Sequence, residues 1–479
     1  MLRRQFIQAV VAAAAAVVFH GTAGAADPAT APVPQPNVIV ILADDLGYAD
    51  LGVQGGKKIP TPNIDSIAHD GVRFTSGYVT GPVCSPTRAG LLTGRYQQRT
   101  GHEFQPRRTD GLLLGERTIA EDLRDRGYAT AIVGKWNLGT LPEYNPTRRG
   151  FDEFFGFTAA VHDYLPDPPN GPRRQAREDD PSTGPGKLLR GTEVVDEPAY
   201  TTDAFAREAV SFIDRHHTNH HAKPYFLYLP FNAAHAPLQA TEKYLSRFPN
   251  LGGNEKIYAA MVSAMDDAVG DVLRKVRETG DEENTLVFFL SDNGGAHGNT
   301  STNGDLAADK GTVNEGGVRV PFLFKWPARI KGGQVSDVPV ISVDIGATAL
   351  AAAGTAPSAD RKLDGVDVVT ALTDPAAAGR PLFWRFGPLR AVRQGDWKVI
   401  RDGDNAPQLF DLKTDRGESK DLAGPNPAVV ARLTAAWAQW DAGNIAPRWE
   451  DGSKRARKRQ AAAASATPAA ITPVDRSER

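Results

Sequence analysis

The chain has 479 residues and a formal net charge of −2, with 41% hydrophobic and 23% charged residues. That mix buries a large core in two or three domains, and 47 glycines and 35 prolines demand many loops, so a coiled coil, a helical bundle and a largely disordered chain are excluded. Basic residues gather at both ends and leave an acidic body, which excludes a general nucleic-acid binder.

Met1-Leu-Arg-Arg-Gln-Phe6 leads into the apolar run Ala9–Phe19 and then Ala23-Gly24-Ala25. A charged start, a short apolar stretch and an A-x-A site predict an export signal over residues 1–25, cleaved near Ala25. The mature protein is then expected in the periplasm or outside the cell. Arg3-Arg4 followed by Phe6 resembles a twin-arginine signal, the Tat machinery's address for folded bacterial proteins. Ala9–Phe19 is too short to span a bilayer comfortably, and no later apolar run approaches the roughly 20 residues a span needs. No stable membrane anchor is expected.

Residues 26–375 alternate strand-like and helical patterns. Val38–Leu42, Ala129–Val133, Tyr225–Leu229 and Thr285–Leu290 are short, uniformly apolar runs, as strands buried on both faces of a parallel sheet require. Asn63–Asp70, Thr118–Arg126, Thr202–Arg215 and Glu255–Thr279 carry helical periodicity between them. The alternation predicts a large, doubly wound α/β sheet flanked by helices. Over residues 376–450 the pattern changes. Leu382–Phe386, Arg390–Arg393, Lys398–Arg401 and Gln408–Leu412 read as a small antiparallel sheet closed by a helix over Pro427–Trp440. Residues 451–479, with the basic run Lys454–Arg459 and an Ala/Pro-rich end, read as a flexible tail.

Each buried run ends in a chemically active residue. The first is followed by Asp44-Asp45 and the second by Lys135-Trp136-Asn137. The third leads to Asn232 and His235, the fourth to Asp292-Asn293. Ligands of open α/β sheets bind beyond the carboxyl ends of the strands, so these groups share one rim. Carboxylates and an amide, with no His or Cys among them, suit Ca²⁺, or Mg²⁺, rather than Zn²⁺. Lys135, Lys310, Arg88 and His235 would surround an anion, which points to hydrolysis of a charged ester.

Cys84 is the chain's one cysteine, so no internal disulfide forms, and a lone cysteine is ordinarily a small buried apolar residue. Its setting is not ordinary. Gly81-Pro-Val-Cys84-Ser-Pro86-Thr-Arg88, continuing to Leu92-Thr-Gly-Arg95, resembles the C-x-P-x-R signature of the sulfatases. Similar segments run through the body: Asn37–Asp45, Gly134-Lys135-Trp136, Gly150–Gly156, His235-Ala-Pro237, Ser291–Gly294 and Lys310-Gly-Thr with Glu315 and Arg319. Ala391-Val-Arg393, Trp397-Lys398 and Leu409–Leu412 look like that family's small domain.

The resemblance implies that a formylglycine-generating enzyme oxidises Cys84 to formylglycine, whose hydrated aldehyde attacks a sulfate ester. It also implies Asp44, Asp45, Asp292 and Asn293 as Ca²⁺ ligands, completed by residue 84. Arg88 would hold the hydrated aldehyde, Lys135 and Lys310 the sulfate, and His235, with Lys310, would protonate the leaving group. One position departs. The family's G-K-W-H-x-G reads Gly134-Lys-Trp-Asn137-Leu-Gly139, and Asn lacks the titratable nitrogen that serves the release step. His102, His162 and His297 are the candidates to compensate. His216, His217, His220 and His221 are expected on a solvated loop, and residues 166–190 on a surface loop. The alternatives are a phosphate or phosphonate ester hydrolase on the same fold, or a weakly active binder of sulfated glycans.

Overall fold

The computed structural model describes residues 35–107, 109–166, 188–220, 223–356 and 361–452. The export signal, the basic run of the tail and residues 167–187 lie outside the described residues.

The strands are β1 (Asn37–Ala43), β2 (Val72–Phe74), β3 (Gly77–Tyr78), β4 (Ala129–Lys135), β5 (Glu153–Phe157), β6 (Leu188–Arg190), β7 (Glu193–Val195) and β8 (Tyr225–Pro230). They continue as β9 (Thr285–Ser291), β10 (Phe322–Lys325), β11 (Gln334–Ser336), β12 (Val340–Ile341), β13 (Leu382–Phe386), β14 (Leu389–Gln394), β15 (Trp397–Asp402) and β16 (Gln408–Asp411). Ten of them form one sheet in the order β11-β2-β10-β9-β1-β8-β4-β5-β6-β7. The central five, β9-β1-β8-β4-β5, are all parallel, so their carboxyl ends share one rim.

Every residue of β1 is buried because the sheet is covered on both faces. Ile39, Ile41 and Ala43 pack with Met261 and Met265 of the helix Gly253–Glu278 on one face. Val38, Val40 and Leu42 pack with Leu91, Leu92 and Ile345 on the other. A uniformly apolar run is what such a double-sided position selects. At the rim, β4 and β8 approach so closely that a Cβ on Gly134 would meet Pro230 O at 2.0 Å, and Gly134 also takes a positive φ of 131°. Only glycine fits there.

β13–β16 form an antiparallel sheet against the helix Pro427–Asp441. Its core is continuous with the body: Trp384, Leu409 and Leu433 share a cluster with Tyr78, Tyr96 and Ile341. Lys398 seals the junction, 2.8 Å from both Glu315 and Glu418, with all three side chains fully buried.

Two expectations are corrected. His216, His217 and His220 end a 20-residue helix, Thr201–His220, instead of lying on a loop, because His216 packs under Tyr225 and its Nε2 lies 2.7 Å from Lys223 O. His221 lies outside the described residues. Residues 188–190, expected in a loop, form β6, which pairs with β5 on one side and with the edge strand β7 on the other. Among the described residues, no helix is long and apolar enough to cross a membrane.

Candidate active site

Cys84 opens the helix Cys84–Thr93, all of whose residues are buried. Val83 before it is extended, and Pro86 falls in the first turn, where its missing N–H costs nothing. Gly94, in the left-handed conformation at φ 65°, ends the helix. Arg88 is four residues from Cys84 and so lies on the same helical face. The C-x-P-x-R spacing is therefore a geometric device that aims a thiol and a guanidinium together.

The predicted residues converge. Cys84 Sγ lies 3.3 Å from Asp44 Oδ1 and 3.3 Å from Lys310 Nζ. Lys135 Nζ is 2.5 Å from Asp44 Oδ2, and Lys310 Nζ is 2.5 Å from Asp45 Oδ1. Arg88 donates two hydrogen bonds to Asp292 Oδ2, at 3.0 and 2.8 Å, and a third to Lys135 O at 2.8 Å. It thus fixes a carboxylate and the end of β4 that carries Lys135 at once. Asn293 Nδ2 donates to Asp45 Oδ1 at 2.7 Å. His235 Nε2 stands 3.7 Å from Asp45 Oδ2, while its Nδ1 is held 2.6 Å from Ala236 O.

Three carboxylates face three fixed cations. Burial alone would raise the Asp44 carboxyl, but Lys135, then His235, Arg88 and Lys310, hold it well below the usual range. Burial, with Asp44 beside it, pushes Asp292 up to about 6 against Arg88 and Lys135. Burial, Asp292 and Asp44 push the Cys84 thiol far up, so the unmodified side chain is a poor nucleophile. Lys310 keeps its proton despite burial, because Asp45 and Cys84 hold its pKa well above the usual value. His235 moves down, chiefly through burial. Lys310 therefore carries a proton at rest, whereas His235 is a base until an anion arrives.

The carboxylate oxygens and the Asn293 amide oxygen fit a hard divalent cation, and a thiol and an imidazole stand beside them. Asp44, Asp45, Cys84 and His235 each offer a ligand atom within 4.8 Å of the others. Asn293 Oδ1 is buried and, among the described residues, has no hydrogen-bond partner, an acceptor that a cation would satisfy. Side-chain exposures of 20% for His235 and 19% for Lys310, against 0–5% for Asp44, Asp45, Arg88, Lys135 and Asp292, put the mouth of the site at that pair.

The three candidate compensating histidines have different settings. His162 packs on the Phe157 ring at 4.9 Å, and the His297 side chain is 98% exposed. His102 is buried and touches Ser85 instead. Three supporting residues carried no sequence signal. Asn299 Nδ2 lies 3.1 Å from Asp45 O and 3.2 Å from Ala234 O, Tyr164 Oη reaches the carbonyls of both Asn232 and His235, the latter at 2.8 Å, and Ser85 Oγ donates to Asn137 O at 2.7 Å. Ser85 does at least lie inside the Cys84 motif.

A family model described as Sulfatase matches residues 36–355. The N-acetylgalactosamine-6-sulfatase of Sus scrofa is 35% identical over 397 residues, 77% of this chain and 72% of that protein. Arylsulfatase G of Rattus norvegicus is 32% identical over 450 residues, 82% and 84% of the two chains. The solved structure of Ps i-CgsB in complex with k-i-k-neocarrahexaose aligns with a TM-score of 0.82 at 34% identity, covering 90% of this chain and 98% of that one.

Proposed function

The chain belongs to the sulfatase family and is a sulfuric ester hydrolase, and from that premise we propose that it cleaves a carbohydrate sulfate with formylglycine at position 84 and Ca²⁺ bound by Asp44, Asp45, Asp292 and Asn293. The carrying observation is the placement of Cys84 Sγ, 3.3 Å from both a carboxylate and an ammonium. A hydrated aldehyde offers two hydroxyls, one to attack sulfur and one to expel the sulfate afterwards. Ca²⁺ supplies charge neutralisation and orientation of the sulfate oxygens.

The protein's own groups do the rest. Arg88 fixes residue 84's surroundings by holding Asp292 and the Lys135 carbonyl. Lys135 and Lys310 are positioned to pair with the sulfate oxygens, in a buried setting where such pairs are strong. The leaving oxygen takes its proton at the mouth, from Lys310 Nζ or from His235 Nε2 once the bound anion favours the imidazolium. A carbohydrate substrate is supported by a relative named for N-acetylgalactosamine 6-sulfate and by the carrahexaose bound to Ps i-CgsB. Residues 1–25 carry the protein by the Tat route to the periplasm or beyond, and a formylglycine-generating enzyme matures Cys84.

Parallel kinetics with sulfate and phosphate esters of one leaving group, plus sulfate release from sulfated oligosaccharides, test this reading. Sulfate esters should be turned over faster, and the oligosaccharides should release sulfate. A preference for the phosphate ester would favour the phosphatase alternative. Tight binding of sulfated glycans without turnover would favour the binder.

A further inference from the structure

Asn137 lies two residues beyond Lys135 at φ 57°, a left-handed conformation that asparagine tolerates better than most residues. It is 3% exposed, and among the described residues its Oδ1 has no hydrogen-bond partner. A buried amide oxygen left unpaired costs about 1–3 kcal/mol, so its burial needs a reason. The backbone, by contrast, is tied down. Ser85 Oγ donates to Asn137 O at 2.7 Å.

A hydroxyl has one proton, and Ser85 has spent it on that carbonyl. The 2.6 Å contact between Ser85 Oγ and His102 Nε2 must then run from Nε2–H to Oγ. This fixes His102 as the Nε2–H tautomer and leaves Nδ1 a bare acceptor, consistent with Nδ1 being buried and, among the described residues, unpartnered. Burial, and then Arg448, push His102 down to about 3, so it stays neutral. Trp449 stands edge-on to the imidazole at 4.8 Å and 82°. The segment that carries it is anchored by Arg448 N to Gly101 O at 3.0 Å and Trp449 Nε1 to Phe104 O at 3.2 Å.

We propose that His102 and Ser85 are positioning residues that lock Asn137, so that Asn137 Oδ1 orients the second hydroxyl of the matured residue 84 as sulfate leaves. This rests on the formylglycine reading above. In the release step the C–O bond to the departing sulfate breaks with its electron pair on sulfate. The O–H pair of the remaining hydroxyl becomes the second C=O bond, and its proton passes to water. Asn137 takes no proton. The absence of an imidazole at this position then reflects a rebuilt site, and the wild type turns over without a stalled release step.

The test uses full-length protein, counted per aldehyde-bearing site by the mass of peptide Phe74–Arg88. Nitrogen NMR of ¹⁵N-histidine-labelled protein should show His102 as the Nε2–H tautomer at neutral pH. With a chromogenic aryl sulfate, wild type should show no burst. Ser85→Ala should lower kcat by about 10²-fold, the cost of misplacing a group near the chemistry. Its KM should stay within about threefold, and a phenol burst near one per site should appear. His102→Leu should behave like Ser85→Ala. His102→Gln, whose amide N–H can reach the same hydroxyl, should restore most of the turnover. A wild-type burst, an Nδ1–H tautomer, or Ser85→Ala with unchanged kcat and no burst overturns the relay. So does a parallel loss of active sites and rate without a burst, which is what mere loosening of the fold gives. If active protein carries no aldehyde, the formylglycine reading falls as well; an aldehyde with an unaffected Ser85→Ala removes the relay alone.

Discussion

Replacing Asp292 with alanine removes the group on which Arg88 and the cation site both depend. Two Arg88 N–H bonds end on Asp292 Oδ2, and both side chains are fully buried. Deleting one partner of a buried pair costs about 3–5 kcal/mol. Asp44 Oδ2, 3.6 Å from Arg88 Nη2, takes up part of the orphaned charge, which puts the loss near the lower end of that range. The apolar clusters on the two faces of the sheet are untouched, so the chain stays folded. The second consequence is specific. Ca²⁺ at one hundred times its Kd should stabilise the wild type by about 2.7 kcal/mol, and Asp292→Ala by nothing measurable. Thermal unfolding with Ca²⁺ and with a chelator, beside elemental analysis, reads both effects. A calcium-dependent rise that survives in Asp292→Ala, or stoichiometric zinc in the wild type, would refute the oxygen-donor site.

Because burial and Asp44 push Asp292 up to about 6, a proton competes with the cation there, and Ca²⁺ affinity should fall about tenfold per pH unit below that value. Calcium titrations that stay flat through this range would contradict it. For the calcium-free protein the sign reverses: the raised pKa means protonated Asp292 favours the fold, and that contribution is lost as pH rises through about 6. His235→Gln should slow esters with poor leaving groups by about 10²–10⁴-fold and good ones far less; equal losses on both would take His235 off the leaving-group side. Lys398→Met leaves Glu418 without its cation and Glu315 with Arg319 alone, 3.0 Å away, which should cost about 3 kcal/mol, the lower end for a broken buried pair, and lower the urea midpoint. An unchanged midpoint would show that the junction does not depend on this lysine.

The parts of this site that were legible in the sequence are those written in local patterns. β1, β4, β8 and β9 are continuous apolar runs because both of their faces are covered, and the residue after each run had to lie at the rim. Cys84 and Arg88 were legible as a pair because helical spacing is local. Short strands such as β2 and β11 have three residues each, too few to show a period. The histidine run looked like a loop because nothing nearby in sequence reveals that Tyr225 covers His216. Asn299 holds the backbone of Asp45, more than 250 residues away, through one side-chain amide. Such a contact leaves no periodic trace. The Ser85–His102 link was hidden for a further reason: it depends on which nitrogen carries the proton, and that follows only once the Asn137 carbonyl is seen to claim the Ser85 hydroxyl.

The mass of the tryptic peptide Phe74–Arg88, taken from active protein made in its native host and probed with a hydrazide, tests the central claim most directly. An aldehyde in place of the Cys84 thiol, reactive toward the hydrazide, is the predicted result. An active preparation in which that peptide carries only the free thiol would contradict the account.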